Sequence, residues 1–215
     1  MPFALKENEA EARERLRAFW SGRSLGRPAL YAVADRPGFV ETPFHAWPGG
    51  SRAPEPSKEN DLTPAWHAWR AEQFLASAEF LAEAMPGAVV RWGALITTLA
   101  MWAGGDYEYH SESGWIKRMP DLYERPPFAF DPAAPMTQAM KRCYEGVAQT
   151  VESRGYISAP IMLDALTTMS SFRTPPQLCL DCIERPDDVR RVSDNLTTLY
   201  LDGYDDFYRM LAAWG

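Results

Sequence analysis

Three cysteines in 215 residues, Cys143, Cys179 and Cys182, are too few for a disulfide framework, and their odd number points to a reducing interior. Long apolar runs are missing too: none approaches the ~20 residues that a membrane helix needs. The opening MPFALKENEAEARERL turns acidic and polar too soon for a secretory signal. Basic runs are also absent. Lys and Arg total 22 against 29 Asp and Glu, a net charge of −7 that disfavours nucleic acid and anionic membrane as partners. The phosphate-cradling patterns GxGxxG and GxxxxGK[ST] do not occur, and neither does the GxSxG elbow of α/β-hydrolases. These absences lead us to expect a soluble cytoplasmic protein. With 46% hydrophobic residues the chain can fill a real core, and its length suits a single domain over 1–215.

What is present reads as alternating helix and strand. Residues 7–21 form an amphipathic pattern with Ala12, Leu16, Phe19 and Trp20 on one stripe, stopped by Gly22. ALYAVA (29–34), AVVRW (88–92) and YISAPIML (156–163) are nearly continuous apolar runs, as in strands covered on both faces. Between the first two lie Pro43, Pro48, Pro54 and Pro56, an irregular stretch of a length that is usually functional or inserted. A helix is expected from Thr63, as cap before Pro64, through Trp66, Trp69, Phe74 and Leu81 to Pro86. A short helix over 93–105, a hairpin-like segment from Asp106, and a second proline-rich loop around Pro126 and Pro127 follow. Helices are then expected from Met136 to Arg154, around LCLDCIERP, and from Asp187 nearly to the end. In the last, Val189, Val192, Leu196, Leu199, Gly203, Phe207, Met210 and Trp214 make one long stripe. Strand–helix alternation of this kind predicts an α/β fold with parallel strands.

Chemistry-bearing residues are sparse. Cys179 and Cys182 match CxxC without a second pair, so they read as buried core thiols, with a metal or redox site as the alternative. His67 reads as packing. His110, beside Asp106 and Glu108, is the better site candidate, with a surface role as its alternative. In parallel sheets, ligands lie at the carboxyl ends of the strands, which singles out Asp35, Arg36, Trp92 and Asp164. Asp164 reads either as a substrate-facing carboxylate or as a helix N-cap. Arg173 reads either as a fork for a substrate carboxylate or as half of a structural salt bridge.

Three segments carry a likeness. RERLRAFWSGRSLGRPAL, GGDYEYHSESGWIKRMPDLYERPPFAFDP and the run from SAPIMLDALTTMSSFRTPP to DGYDDFY resemble the uroporphyrinogen decarboxylase superfamily. The closest branch is uroporphyrinogen decarboxylase-like and shades into corrinoid-dependent methyltransferases. Leu178, Asp181, Pro186 and Val189 match the family's "Leu-x-x-Asp-x-x-x-x-Pro-x-x-Val" stretch. Two places depart from the pattern: ALYAVADRPG stands where the family has Arg-Gln-Ala-Gly-Arg, and AVVRWG offers Trp92 where an aspartate that binds pyrrole N–H groups is expected.

The resemblance implies a (β/α)8 TIM-type barrel with parallel strands flanked by helices. A whole barrel takes ~250 residues, so the chain is expected to be its N-terminal portion, completed by a second copy or another chain. The implied activity is decarboxylation of a carboxylated tetrapyrrole (a lyase) or methyl transfer on a corrinoid-linked substrate. Asp164 and Arg173 would be catalytic, and Asp35, Arg36, Trp92 and His110 would line the mouth. No cofactor or metal is expected of these residues, because the methyltransferases' zinc-binding His-x-Cys would lie beyond them. The competing expectation is a non-catalytic half-barrel or inactive remnant, with the tryptophan-rich 66–102 region as an interface.

Overall fold

The first helix, α1 (Glu9–Trp20), buries Ala12, Ala18 and the carboxylate-bearing Glu9, while Phe19 and Trp20 stay exposed. Its apolar stripe is thus narrower than the spacing predicts. Gly22 closes it at φ 70, a conformation that disfavours any residue with a Cβ, and the Arg23 N–H returns to the Ala18 carbonyl. The computed structural model of the chain describes residues 5–23, 25–42, 62–90, 98–110 and 113–214. These group into two compact units interleaved along the sequence. One takes the described residues of Met1–Ala53, Pro64–Val90 and Tyr144–Ser158; the other takes those of Pro54–Thr63, Arg91–Cys143 and Ala159–Gly215.

In the first unit β1 (Tyr31–Asp35) pairs antiparallel with β2 (Ala78–Ala82), Val33 opposite Phe80. α2 (Pro64–Ser77) runs directly into β2, where a continued helix is expected from the sequence. Ala78 and Phe80 are buried and Glu79 and Leu81 exposed, a period-2 signal hidden among alanines that favour helix. Lys6 secures this strand by donating Nζ hydrogen bonds to the Phe80 and Ala82 carbonyls, both at 2.8 Å. Just beyond it, buried Glu83 accepts from Arg15, from both terminal nitrogens of Arg27 and from the Leu30 N–H. α2 also fixes the chain after β1, since Gln73 accepts from the Thr42 N–H and the Trp69 indole donates to the Thr42 carbonyl.

β3 (Gly87–Ala88) and β6 (Tyr156–Ile157) form the parallel pair of this unit. Each lies at the start of a longer strand expected from the sequence, so Val90 and Ile161 fall beyond the paired residues. Close backbone approach explains the glycines here: a Cβ on Gly155 would meet the Pro86 carbonyl at 2.8 Å, and one on Gly87 would meet the Tyr156 ring at 2.5 Å. β1 is not in this sheet. The three expected strands therefore do not share one parallel sheet. The sheets among the described residues are three separate pairs, and no barrel is evident there.

The second unit holds α3 (Thr98–Trp102) and the antiparallel hairpin of β4 (Tyr107–His110) and β5 (Ser113–Ile116). After the proline-rich loop comes α4 (Pro135–Val151), whose residues fall in both units and whose buried face is Met140, Cys143, Tyr144, Val147 and Val151, at the spacing the sequence predicts. A single 3-10 turn (Glu152–Arg154) leads from it to β6. α5 (Ala165–Arg173), α6 (Pro175–Glu184) and α7 (Pro186–Ala212) then follow almost without linkers, two of them opening on proline, where the missing N–H has no consequence. Leu99, Leu122, Met169, Phe172, Leu196 and Leu199 make the centre of the core. Asn195 on α7 ties down the proline-rich loop by bonding both the N–H and the carbonyl of Phe128. The α7 stripe is buried from Val189 to Phe207, whereas Trp214 is exposed. Cys179 and Cys182 are exposed, not core thiols, because α6 turns Asp181 inward instead. No helix among the described residues is long and apolar enough to cross a membrane.

Candidate functional site

Of the residues that the sequence singles out, Asp164 and Arg173 lie at the two ends of α5. Asp164 is its N-cap, with Oδ1 accepting from the Thr167 N–H at 3.0 Å and Oδ2 from the Thr167 hydroxyl at 2.6 Å. Those bonds favour the charged form and hold the carboxyl below its usual pKa. The side chain is exposed. An ionised, weakly basic carboxylate of this kind is suited to accepting N–H donors and poorly suited to abstracting a proton.

At the other end of the helix, Arg173 grips Asp181 with two nitrogens: Nε to Oδ2 at 2.8 Å and Nη2 to Oδ1 at 3.2 Å. Its third nitrogen donates to the Pro120 carbonyl. Asp181, 1% exposed, also accepts from the Tyr123 hydroxyl at 2.8 Å and the Gln177 amide at 3.0 Å. Four donors on one buried carboxylate, the Arg173 guanidinium foremost, hold it far below the ordinary carboxylate range. Tyr123 responds oppositely: burial first, then the bond to Asp181, pushes its phenol well above the usual value. Arg173 and Arg185 lie over the Tyr123 ring, at 5.2 and 4.5 Å from its centroid. The cluster is therefore charge-saturated from within, and Arg173 forms the structural salt bridge that was one of its two readings.

Asp164 and Arg173 stand at opposite ends of a nine-residue helix stretch, separated by roughly 13 Å at 1.5 Å per residue. They cannot act on one atom. Asp35 ends β1 in the first unit and Arg36 follows it, both exposed, and Arg36 donates to the Ala78 carbonyl at 3.1 Å. His110 is the last residue of β4, but its side chain lies outside the described residues, as does Trp92 altogether. His67 is buried in α2, in keeping with packing. Tyr123 and Arg185 were not singled out by sequence reasoning; the pointers to their cluster were Arg173, read as one half of a salt bridge, and Asp181 within the Leu-x-x-Asp stretch. Among the described residues no group of three His, Cys, Asp or Glu side chains is arranged to hold a metal ion.

Comparison with family models, curated proteins and solved structures finds no match to this chain.

Proposed function

We propose that these residues form the opening part of a uroporphyrinogen decarboxylase-like (β/α)8 barrel that binds a carboxylated tetrapyrrole and decarboxylates it. One observation carries the reading. β1 is antiparallel to β2, so counting only the parallel strands among the described residues makes β3 the first and β6 the second. Asp164 is then the first carboxylate after the second parallel strand, the position at which the resemblance expects the aspartate that binds pyrrole N–H groups. The sequence alone assigned that position to Trp92, because it counted ALYAVA as the first strand of the series. An Asp164 carboxylate kept charged by its capping bonds has the acceptor chemistry that pyrrole N–H groups require.

In this scheme Asp164 orients the macrocycle. Loss of CO2 from a pyrrole acetate needs a proton on the ring, cleavage of the carbon–carbon bond with its electron pair returning to the ring system, a proton on the resulting methylene, and release of the ring proton, so that one proton is consumed for each CO2 lost. Arg173 is a positioning residue: through Asp181 it holds the corner between α5 and α6. Methyl transfer on a corrinoid-linked substrate remains within the same proposal, since it uses the same barrel and the same carboxylate.

A second reading is favoured by the outer face of α6, where Leu180 and Ile183 are 49% and 79% exposed: a binding subunit whose partner covers that face.

Absorbance titration with uroporphyrin and with a methyl-corrinoid tests the proposal. Asn caps helices as well as Asp does, so Asp164→Asn removes the charge and keeps the fold. Saturable binding lost in that variant supports the assignment. Binding unchanged in that variant removes Asp164 from the site, and no binding of either compound leaves the partner-binding reading.

A further inference from the structure

Between the β4–β5 hairpin and the junction of α5 with α6 lies a cleft of about 370 Å³. Gly114, Trp115 and Ile116 of β5 form one wall, Ser170, Ser171, Thr174 and Pro175 the other, and Arg118 stands at the side. Three features set it apart from an ordinary surface groove. Trp115 is 63% exposed, a large aromatic face left in water beside the opening. Arg118 has no carboxylate partner among the described residues, a state it shares in this unit with Arg142 and Arg209, which do not line the cleft, whereas Arg125, Arg173, Arg185, Arg190 and Arg191 each hold one. Thr174 sits at φ 79 and ψ 145, a region that a β-branched residue enters only under constraint.

That constraint has identifiable sources. The residue before Thr174 is anchored by the Arg173–Asp181 pair, and the residue after it is a proline. The Thr174 N–H donates to the Ser170 carbonyl at 2.8 Å, and its own carbonyl accepts from the Leu178 N–H at 2.9 Å. The strained residue is thus held against the cleft from both sides, an arrangement that clusters at ligand sites.

The lining specifies the ligand. None of the eight lining residues is acidic, and one is a cation. The Asp106 and Glu108 carboxylates are engaged by Lys117 at 2.9 and 3.2 Å, and no described carboxylate pairs with Arg118, whose charge is left for an anion. A phosphate would draw on backbone donors at the start of α6, but Pro175 and Pro176 have no N–H there. A single guanidinium fork suits one carboxylate. The Ser170 hydroxyl, with no hydrogen-bond partner among the described residues, offers a further donor, while Ser171 is committed to the Thr167 carbonyl. The exposed Trp115 indole suits a flat ring. The volume lies at the small end of ligand pockets, ~300–1,000 Å³, and four linked pyrroles would overfill it.

We propose that this cleft binds a small aromatic carboxylate of one or two rings, its carboxylate on Arg118 and its ring against Trp115. The site is separate from the tetrapyrrole reading and does not depend on it.

Isothermal titration calorimetry of the full chain with 2-naphthoate, 2-naphthamide and inorganic phosphate tests this. Naphthoate is expected to bind saturably, one per chain, with naphthamide and phosphate at least tenfold weaker. Arg118→Met and Trp115→Ala alter exposed side chains, so the circular dichroism spectrum is expected to persist, while each variant weakens naphthoate at least tenfold. Equal binding of naphthoate and naphthamide, or of naphthoate and phosphate, would overturn the proposal, as would full affinity in both variants or no saturable binding at all. Uroporphyrin titration of Arg118→Met keeps the two proposals apart: it is expected to match the unsubstituted chain.

Discussion

The indole of Trp102 lies directly across Gly203, leaving no room at that turn of α7 for even a methyl group. Glycine in the middle of a 27-residue helix costs about 1 kcal/mol relative to alanine, so its presence reflects the ring, which also makes edge contact with Phe130, centroids 5.0 Å apart. Overpacking of ~1–3 kcal/mol, less the gain of about 1 kcal/mol in helix propensity, leaves Gly203→Ala an expected net loss of up to ~2 kcal/mol. Adding Trp102→Leu should recover part of the loss. Urea denaturation of the two single variants and the double variant gives the coupling; strict additivity would show that the pair does not interact.

Glu83 supplies a pH test. Its bonds to Arg27 first, then to the Leu30 N–H and Arg15, lower its pKa from 4.5 to about 2 in the folded state. A depressed carboxylate stabilises the fold fully above its ordinary pKa and loses that contribution as the pH falls from about 4.5 towards 2. Glu83→Gln is expected to lose ~1.5–3 kcal/mol at neutral pH, the range for hydrogen bonds to charged groups, and to show a flatter acid-unfolding profile over that window. An unchanged acid profile would contradict the assignment.

Thr174→Gly should stabilise the chain. Relief of the strained backbone, ~1–3 kcal/mol, exceeds the added flexibility of glycine in the unfolded chain, ~0.5–1 kcal/mol, which leaves a net gain of about 1 kcal/mol. Thermal melting checks the sign, and a lower midpoint would mean that the threonine side chain makes up for its conformation.

Asp164 separates capping from charge. Asp164→Ala is expected to lose about 1 kcal/mol as an N-cap deletion, and Asp164→Asn only a few tenths. Chemical denaturation of both variants is the measurement; equal losses would indicate that the charge, not the cap, stabilises α5.

Thiol titration of the native chain should find two fast-reacting cysteines and one protected. Cys179 and Cys182 are exposed, and Cys143 is fully buried. A single fast thiol would place part of α6 under cover, as the partner-binding reading requires of an assembled form.

Helical periodicity carried most of what was legible in the sequence. The buried faces of α4 and α7 follow from three-and-four spacing alone, and the β4–β5 hairpin follows from local alternation around Ser113-Gly114. β2 was hidden because its alanines favour helix locally, while its strand conformation depends on β1 and on Lys6, distant in sequence. α6 inverted the hydrophobic rule. Cysteine reads as apolar and aspartate as polar, yet Asp181 is buried and both cysteines face water, because Arg173, Tyr123 and Gln177 neutralise and solvate the carboxylate in place of water. No pattern of hydrophobicity can register that exchange. At the candidate site, Asp164 and Arg173 were each legible as one of two alternatives, and the structure gives them the cap and the salt bridge.

The run of α5, α6 and α7 with scarcely a linker between them has a consequence for the order of assembly. Their mutual contacts, including the Arg173–Asp181 grip, join residues close along the chain, so little loop entropy opposes them. β1 must find β2, and β3 must find β6, across far longer intervals. Chains close short loops first, so the three-helix corner should nucleate folding while both of those strand pairings await the slower search.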